Sequence, residues 1–163
     1  MSDEPAFDPD LILAALSAHG AKYVVVGGLA LAAHGVIRAT ADLDLVVAAD
    51  WDNAEALSLA MAAVDALDLD DRSSAITRES LVRRVDRRLR TRHGDVHLLH
   101  QVEGVPRYEE LVPAAVFDLG GVAVPVAQLD DLKAMKRAGG RAKDAVDLAE
   151  LEALGSGEDE PLA

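Results

Sequence analysis

The chain contains no cysteine. A disulfide framework, a thiolate metal site and a cysteine nucleophile are therefore excluded. Aromatic residues are scarce, at 3% of the chain, so Ala, Leu and Val must carry the packing. No apolar run reaches the roughly 18–20 residues that a membrane-crossing helix needs. The opening segment, MSDEPAFDPD, is acidic and has neither the positive n-region nor the apolar h-region of a secretory signal. The expectation is a cytoplasmic protein with no membrane association. Positive charge is also in deficit. Sixteen Lys and Arg face 29 Asp and Glu, for a net charge of −13, which argues against a general nucleic-acid coat protein.

Two nucleotide-binding signatures are missing as well. There is no G-x-x-x-x-G-K-[ST] segment, so the chain is not a P-loop protein. The run GGLALAAHG has nothing at the third position of the dinucleotide turn G-x-G-x-x-G.

What remains is a chain of 163 residues, half of them apolar. That length suits one domain, expected over residues 1–154 and followed by a disordered acidic tail, GSGEDEPLA, over 155–163. The scarce positive charge is concentrated. Eight arginines and only two acids, Glu79 and Asp86, lie between Arg72 and Arg92. Such a strip can dock a polyanion such as RNA, or serve as no more than a solvated helix face.

Local signals predict a helix over Pro9–His19, capped by Asp8 and stopped by Gly20. They predict a buried strand at Tyr23–Val26, a tight turn at Gly27-Gly28 and a short helix at Leu29–His34 stopped by Gly35. A second strand follows at Asp42–Val47, then a helix from the Asp50 cap to about Leu67 and a polar loop over Asp68–Ser74. Glu79–Val85 suggests a helical turn. Leu89–Leu99 suggests strands around Gly94. Ala114–Leu119 and Val122–Val126 flank Gly120-Gly121 as a hairpin. Two final helices are expected at Leu129–Ala138 and Asp144–Leu154. This order is that of an α/β or α+β domain with a mixed sheet flanked by helices.

Within it, Asp42 and Asp44 stand one residue apart in an apolar strand. Residues i and i+2 of a strand share a face, so both carboxylates project together while Leu43, Leu45 and Val47 face the core. Two like charges about 6–7 Å apart repel unless a cation lies between them. Mg²⁺ takes one or two carboxylates together with water and phosphate oxygens. Gly27-Gly28, between a strand and a helix start, presents bare backbone N–H groups to a phosphate. Together these features suggest one site for phosphoryl chemistry on a Mg²⁺-bound nucleoside triphosphate.

The pattern Val26-Gly27-Gly28, a spacer, then Asp42-Leu43-Asp44-Leu45 resembles the minimal nucleotidyltransferase superfamily, written hG[GS] and Dh[DE]h with h apolar. Within it, GGLALAAHGVIRATADLDLVV is most similar to AbiEii-type proteins of bacterial toxin–antitoxin and phage-defence systems, which often read GG-x-A-x-x-x-HG-x-x-R-x-T-x-D-x-D. Ala30, His34, Gly35, Arg38 and Thr40 all match. LDDLKAMKRAGGRAKDAVDLAEL resembles the family's C-terminal motif through Lys136, Arg141, Lys143, Asp144 and Asp147. The likeness spans residues 22–154.

This resemblance implies the nucleotidyltransferase (DNA polymerase beta-like) fold. It implies transfer of a nucleoside monophosphate from an NTP to a hydroxyl of RNA such as tRNA, of protein or of a small molecule. Gly27 and Gly28 would hold the triphosphate, Asp42 and Asp44 Mg²⁺, and Lys136 would neutralise phosphate charge. Lys136 reads otherwise as a surface lysine. Arg38 would contact phosphate or pair with Asp42. Asp144 would act in the site or cap the last helix, and Asp147 would pair with Lys143.

The family's third carboxylate lies in a strand written G-x-h-D-L-L. Here the segment is Gly94-Asp95-Val96-His97-Leu98-Leu99, with His97 at the acidic position. His97 would serve as base or metal ligand, or Asp95 would replace the missing carboxylate after a small register change, or the site would be weakened. The last case gives the alternative expectation of a binding protein, an antitoxin or a nucleotide sensor. His19, His34 and His100 are not assigned as ligands. A cognate toxin or antitoxin is the expected protein partner, and the lack of a separate acceptor domain leaves room for a homodimer.

Overall fold

The computed structural model describes residues 3–100 and 104–157. In chain order, α1 (Pro9–Ala18) leads to β1 (Tyr23–Val26), α2 (Gly27–Ala33), β2 (Asp42–Val47), α3 (Trp51–Ala63) and β3 (Leu67–Asp68). Then follow α4 (Arg78–Leu81), β4 (Arg87–Thr91), β5 (Gly94–Leu99), α5 (Tyr108–Leu111), β6 (Ala115–Leu119), β7 (Val122–Val126), α6 (Leu129–Gly139) and α7 (Ala142–Gly157). The strands make one seven-stranded sheet in the order β3-β4-β5-β2-β1-β7-β6. β2 runs parallel to β5 and β1 parallel to β7, and the other neighbours are antiparallel. The mixed α/β architecture expected from the sequence is therefore present. Among the described residues, no helix is long and apolar enough to cross a membrane.

The core follows from strand alternation. Leu43 and Leu45 of β2, Val96 and Leu98 of β5 and Leu89 of β4 are all buried and lie in register. β1 is buried at all four positions, as a central strand covered on both faces must be. Ile12, Leu13 and Leu16 of α1 and Leu57 and Met61 of α3 join the same core. Asn53, buried on α3, holds this layer to the start of β1 and the end of β2. Its amide donates to the carbonyls of Lys22 and Ala48 at 2.9 and 2.8 Å, and its carbonyl accepts from the Lys22 amide at 2.6 Å.

Several expected boundaries shift. Asp50 does cap α3, accepting from the Asn53 amide at 2.8 Å, but the helix ends at Ala63 rather than near Leu67. Asp65 takes a positive φ of 54°, and Leu67-Asp68 becomes an edge strand paired with Leu89 and Arg90. The helical pattern has no Gly or Pro there, and strand pairing overrides it. Gly27-Gly28 is not a free turn but the first residues of α2. Asp8 precedes α1 without a side-chain capping bond. The short α5 was not foreseen. At the end, α7 runs on to Gly157, and the rest of the expected tail, 158–163, lies outside the described residues.

Candidate active site

The parallel pairing of β2 with β5 sets Asp42 opposite Asp95 and Asp44 opposite His97. All four sit on the face away from Leu43, Leu45 and Val96. Asp42, Asp44 and His97 converge, each offering one ligand atom within 4.8 Å of the others. His97 Nδ1 lies 3.0 Å from Asp44 Oδ1, and His97 Nε2 lies 3.9 Å from Asp42 Oδ2. The hydrogen bond to Asp44 raises the His97 pKa above its ordinary value, against the opposing effect of burial. Partial burial, then the neighbouring Asp44 charge, raises that of Asp42. Crowded negative charge with so little to offset it is what a cation would relieve.

Asp95 does not join this group. Arg90, its partner across β4 and β5, holds it by Nε at 2.8 Å and Nη2 at 3.1 Å. That pairing keeps the Asp95 pKa below the usual carboxylate range. In the observed register Asp95 stands opposite Asp42, and His97 stands opposite Asp44. Of the two candidates for the third position, the structure brings His97 and not Asp95 together with Asp42 and Asp44.

Gly27 forms the floor beside the pair. Its φ is +71°, and a Cβ there would collide with the Asp44 carboxylate. A Cβ at Gly28 would come within 2.9 Å of Thr40 Oγ1, which itself donates to the Asp42 carbonyl at 3.1 Å. Bare backbone thus lets the start of α2 approach β2. Above it opens a cleft of about 370 Å³, lined by Gly27, Gly28, Asp42, Asp44 and His97. Arg38, Lys136, Arg141 and Lys143 line it too. A second hollow of about 360 Å³ shares Gly27, Asp44, Lys136 and Arg141 and is walled by Val26, Leu99, Leu132 and Met135.

The cationic wall is built from the α6–α7 corner. Lys136 reaches Asp144 at 3.2 Å and Asp147 at 3.0 Å. Asp144 also accepts from Arg141 Nε at 2.8 Å and from the Arg141 backbone amide at 3.3 Å, so it caps α7. These cations hold the Asp144 pKa well below the usual carboxylate range. Arg38 pairs with Asp147, not with Asp42, and Asp147 pairs with Arg38 and Lys136, not with Lys143. Asp144 and Asp147 are 1% and 2% exposed. They act as counter-ions beneath the wall, and Asp144 also lines the second hollow. Lys136 is in place at the cleft but is no surface lysine. Lys143 forms no ion pair among the described residues and its charge reaches Asp42. Thr40, Arg141 and Lys143 matched the motif but carried no assigned role; their signal was their place in it.

The arginine strip is largely compensated. Arg78 pairs with Glu55 and Glu79, Arg87 with Asp68, Arg88 with Asp70, Arg90 with Asp95 and Glu4, and Arg92 with Asp65. Arg72, Arg83 and Arg84 form no ion pair among the described residues. The unassigned histidines stay outside the cluster. His19 ends α1. His34 Nε2 lies 2.8 Å from the Ala127 carbonyl, with its ring edge-on to Phe117. The His100 amide donates to Asp86.

No family model matches this chain, and no curated protein matches it.

Proposed function

We propose that the protein is a nucleotidyltransferase, of the minimal superfamily and nearest in motif to the AbiEii type, with the corresponding DNA polymerase beta-like fold. The observation that carries this reading is that one cleft is lined both by the Asp42–Asp44–His97 group and by four cations, in a chain of net charge −13. An acidic protein that gathers positive charge at one concave site, together with a carboxylate pair, is arranged for a metal-bound polyanion.

The donor set fits a divalent cation. Two carboxylates and an imidazole converge within 4.8 Å, and the burial and mutual repulsion that raise the Asp42 pKa mark charge that a cation would satisfy. Asp42 and Asp44 would hold it. When bound, such an ion neutralises phosphate charge and organises the donor for in-line displacement.

The chain's own residues do the rest. The first N–H groups of α2 have no acceptor within the helix, and Gly27 and Gly28 at that start line the cleft, where the N–H groups would meet phosphate oxygens. Lys143 and Lys136 supply point charges to the leaving pyrophosphate, and Arg141 a planar fork. An acceptor hydroxyl attacks the α-phosphorus. The bond from that phosphorus to the bridging oxygen breaks, pyrophosphate leaves, and the hydroxyl proton passes to the Asp42–Asp44–His97 group. The motif resemblance alone supports a toxin–antitoxin setting, with a cognate partner and an RNA or protein acceptor.

A second reading is a nucleotide-binding protein of weakened chemistry. The imidazole at the third acidic position favours it, because the site then has one negative charge fewer than a three-carboxylate centre. Pyrophosphate release from each NTP, in the wild type and in Asp42→Ala, separates the two. Release that depends on Asp42 supports the transferase. NTP binding without release supports the binding protein, and the absence of both binding and release overturns the nucleotidyltransferase reading.

A further inference from the structure

We infer that His97 is itself a metal ligand through Nε2, and that the Asp42–Asp44–His97 set selects a first-row transition-metal dication over Mg²⁺. The inference rests on the reading that this cleft holds a divalent cation, and it concerns which cation.

The distances of the two ring nitrogens from the carboxylates assign them different roles. Asp44 Oδ1 can only accept, so Nδ1 at 3.0 Å carries the proton, and in the neutral ring Nε2 then presents a lone pair. Nε2 looks toward Asp42 Oδ2 across 3.9 Å, a separation too long for a hydrogen bond. A histidine with one nitrogen fixed by a carboxylate and the other turned to open donors is arranged as metal-ligating histidines are. The other Asp44 oxygen, Oδ2, lies over Gly27 at the cleft floor and is not the one that His97 Nδ1 approaches.

Donor chemistry sets the selectivity. Mg²⁺ is a hard ion that favours oxygen ligands in near-ideal octahedral geometry and parts with its waters reluctantly. Imidazole nitrogen adds little for it but strengthens binding of transition-metal dications, with affinity rising from Mn²⁺ through Co²⁺. Replacing a carboxylate by imidazole also lowers the ligand charge from −3 to −2, which weakens a purely ionic bond more than one with a nitrogen donor. Asp95 cannot restore an all-oxygen set, because Arg90 holds it at two nitrogens.

The test uses the full chain, freed of metal, with Mn²⁺ alone and no nucleotide. Pulsed electron paramagnetic resonance reads ¹⁴N coupling to bound Mn²⁺. Competition with Mg²⁺ reads the selectivity. The wild type is expected to show ¹⁴N coupling. His97→Asp, checked for native circular dichroism, is expected to bind Mn²⁺ without it and to lose about tenfold or more in Mn²⁺ over Mg²⁺ preference. Mn²⁺ bound by the wild type without ¹⁴N coupling, or coupling that persists in His97→Asp, overturns the inference and leaves the transferase reading intact. Absence of Mn²⁺ binding also overturns it, while pyrophosphate release in Mg²⁺ decides the transferase reading separately.

Discussion

Gly27 lies directly beneath the Asp44 carboxylate, and a single Cβ at position 27 would occupy the space of that side chain. The glycine and the acid are 17 positions apart in sequence, yet each requires the other. Gly27→Ala is expected to displace Asp44 and to cost about 1–3 kcal/mol from the positive φ alone. NTP-dependent pyrophosphate release should fall at least as far as in Asp44→Asn, while thermal unfolding remains a single cooperative transition. Retained release in Gly27→Ala would show that Asp44 does not need this position.

Lys136 and Lys143 line the same cleft but stand differently in the fold. Lys136 is the counter-ion of two buried aspartates, whereas Lys143 has no such duty. Lys143→Ala is predicted to weaken triphosphate binding several-fold, in line with a single exposed charge contact, with the melting temperature unchanged. Lys136→Ala is predicted to lower both binding and stability, because Asp144 and Asp147 are then left with Arg141 and Arg38 as their remaining counter-ions. Calorimetric titration with a non-hydrolysable NTP and thermal unfolding of each variant check the contrast.

Asp144 provides a pH signature. Arg141 and Lys136 depress its pKa in the folded chain, while in the unfolded chain an Asp titrates near about 3.9. The unfolded state therefore binds the proton first. The stabilisation is complete above the unfolded value and is lost as pH falls toward the folded one. Asp144→Asn should be destabilised at neutral pH, and its deficit against the wild type should narrow as pH drops below about 4. Urea unfolding midpoints between neutral and acid pH measure that gap. A constant gap would mean that Asp144 titrates normally in the fold.

The arginine strip makes a graded prediction about an RNA acceptor. Arg83 and Arg84 form no ion pair among the described residues, whereas Arg87, Arg88 and Arg90 are each paired with a carboxylate. If the strip binds RNA, Arg83→Ala with Arg84→Ala should reduce the salt slope of binding by about 2, near one unit per phosphate contact. Filter binding of total tRNA across a salt series reads it. An unchanged slope removes the strip from acceptor recognition.

Local chemistry made much of this legible. β1 and β2 stand where their apolar runs placed them. The hairpin of β6 and β7 forms around Gly120-Gly121, and the carboxylate pair projects from one strand face. What escaped depended on pairing across the chain. Whether Asp95 or His97 completes the acidic pair is decided by Arg90, on a strand whose register no local pattern reveals. The partners of Arg38 and Asp147, 109 residues apart, follow from how α7 packs behind the cleft. Leu67 left its helical pattern because an unpaired edge of β4 was there to take it.

Label transfer tests the central claim most directly. The protein is incubated with each α-³²P-labelled NTP in turn, with Mg²⁺ or Mn²⁺, total tRNA and a cell lysate, beside Asp42→Ala. A labelled RNA or protein band that vanishes in the variant is the predicted result, and it names the donor base and the acceptor class together. No labelled band with any of the four nucleotides and either cation, from protein that binds NTP, would contradict the transferase and leave a nucleotide-binding protein in its place.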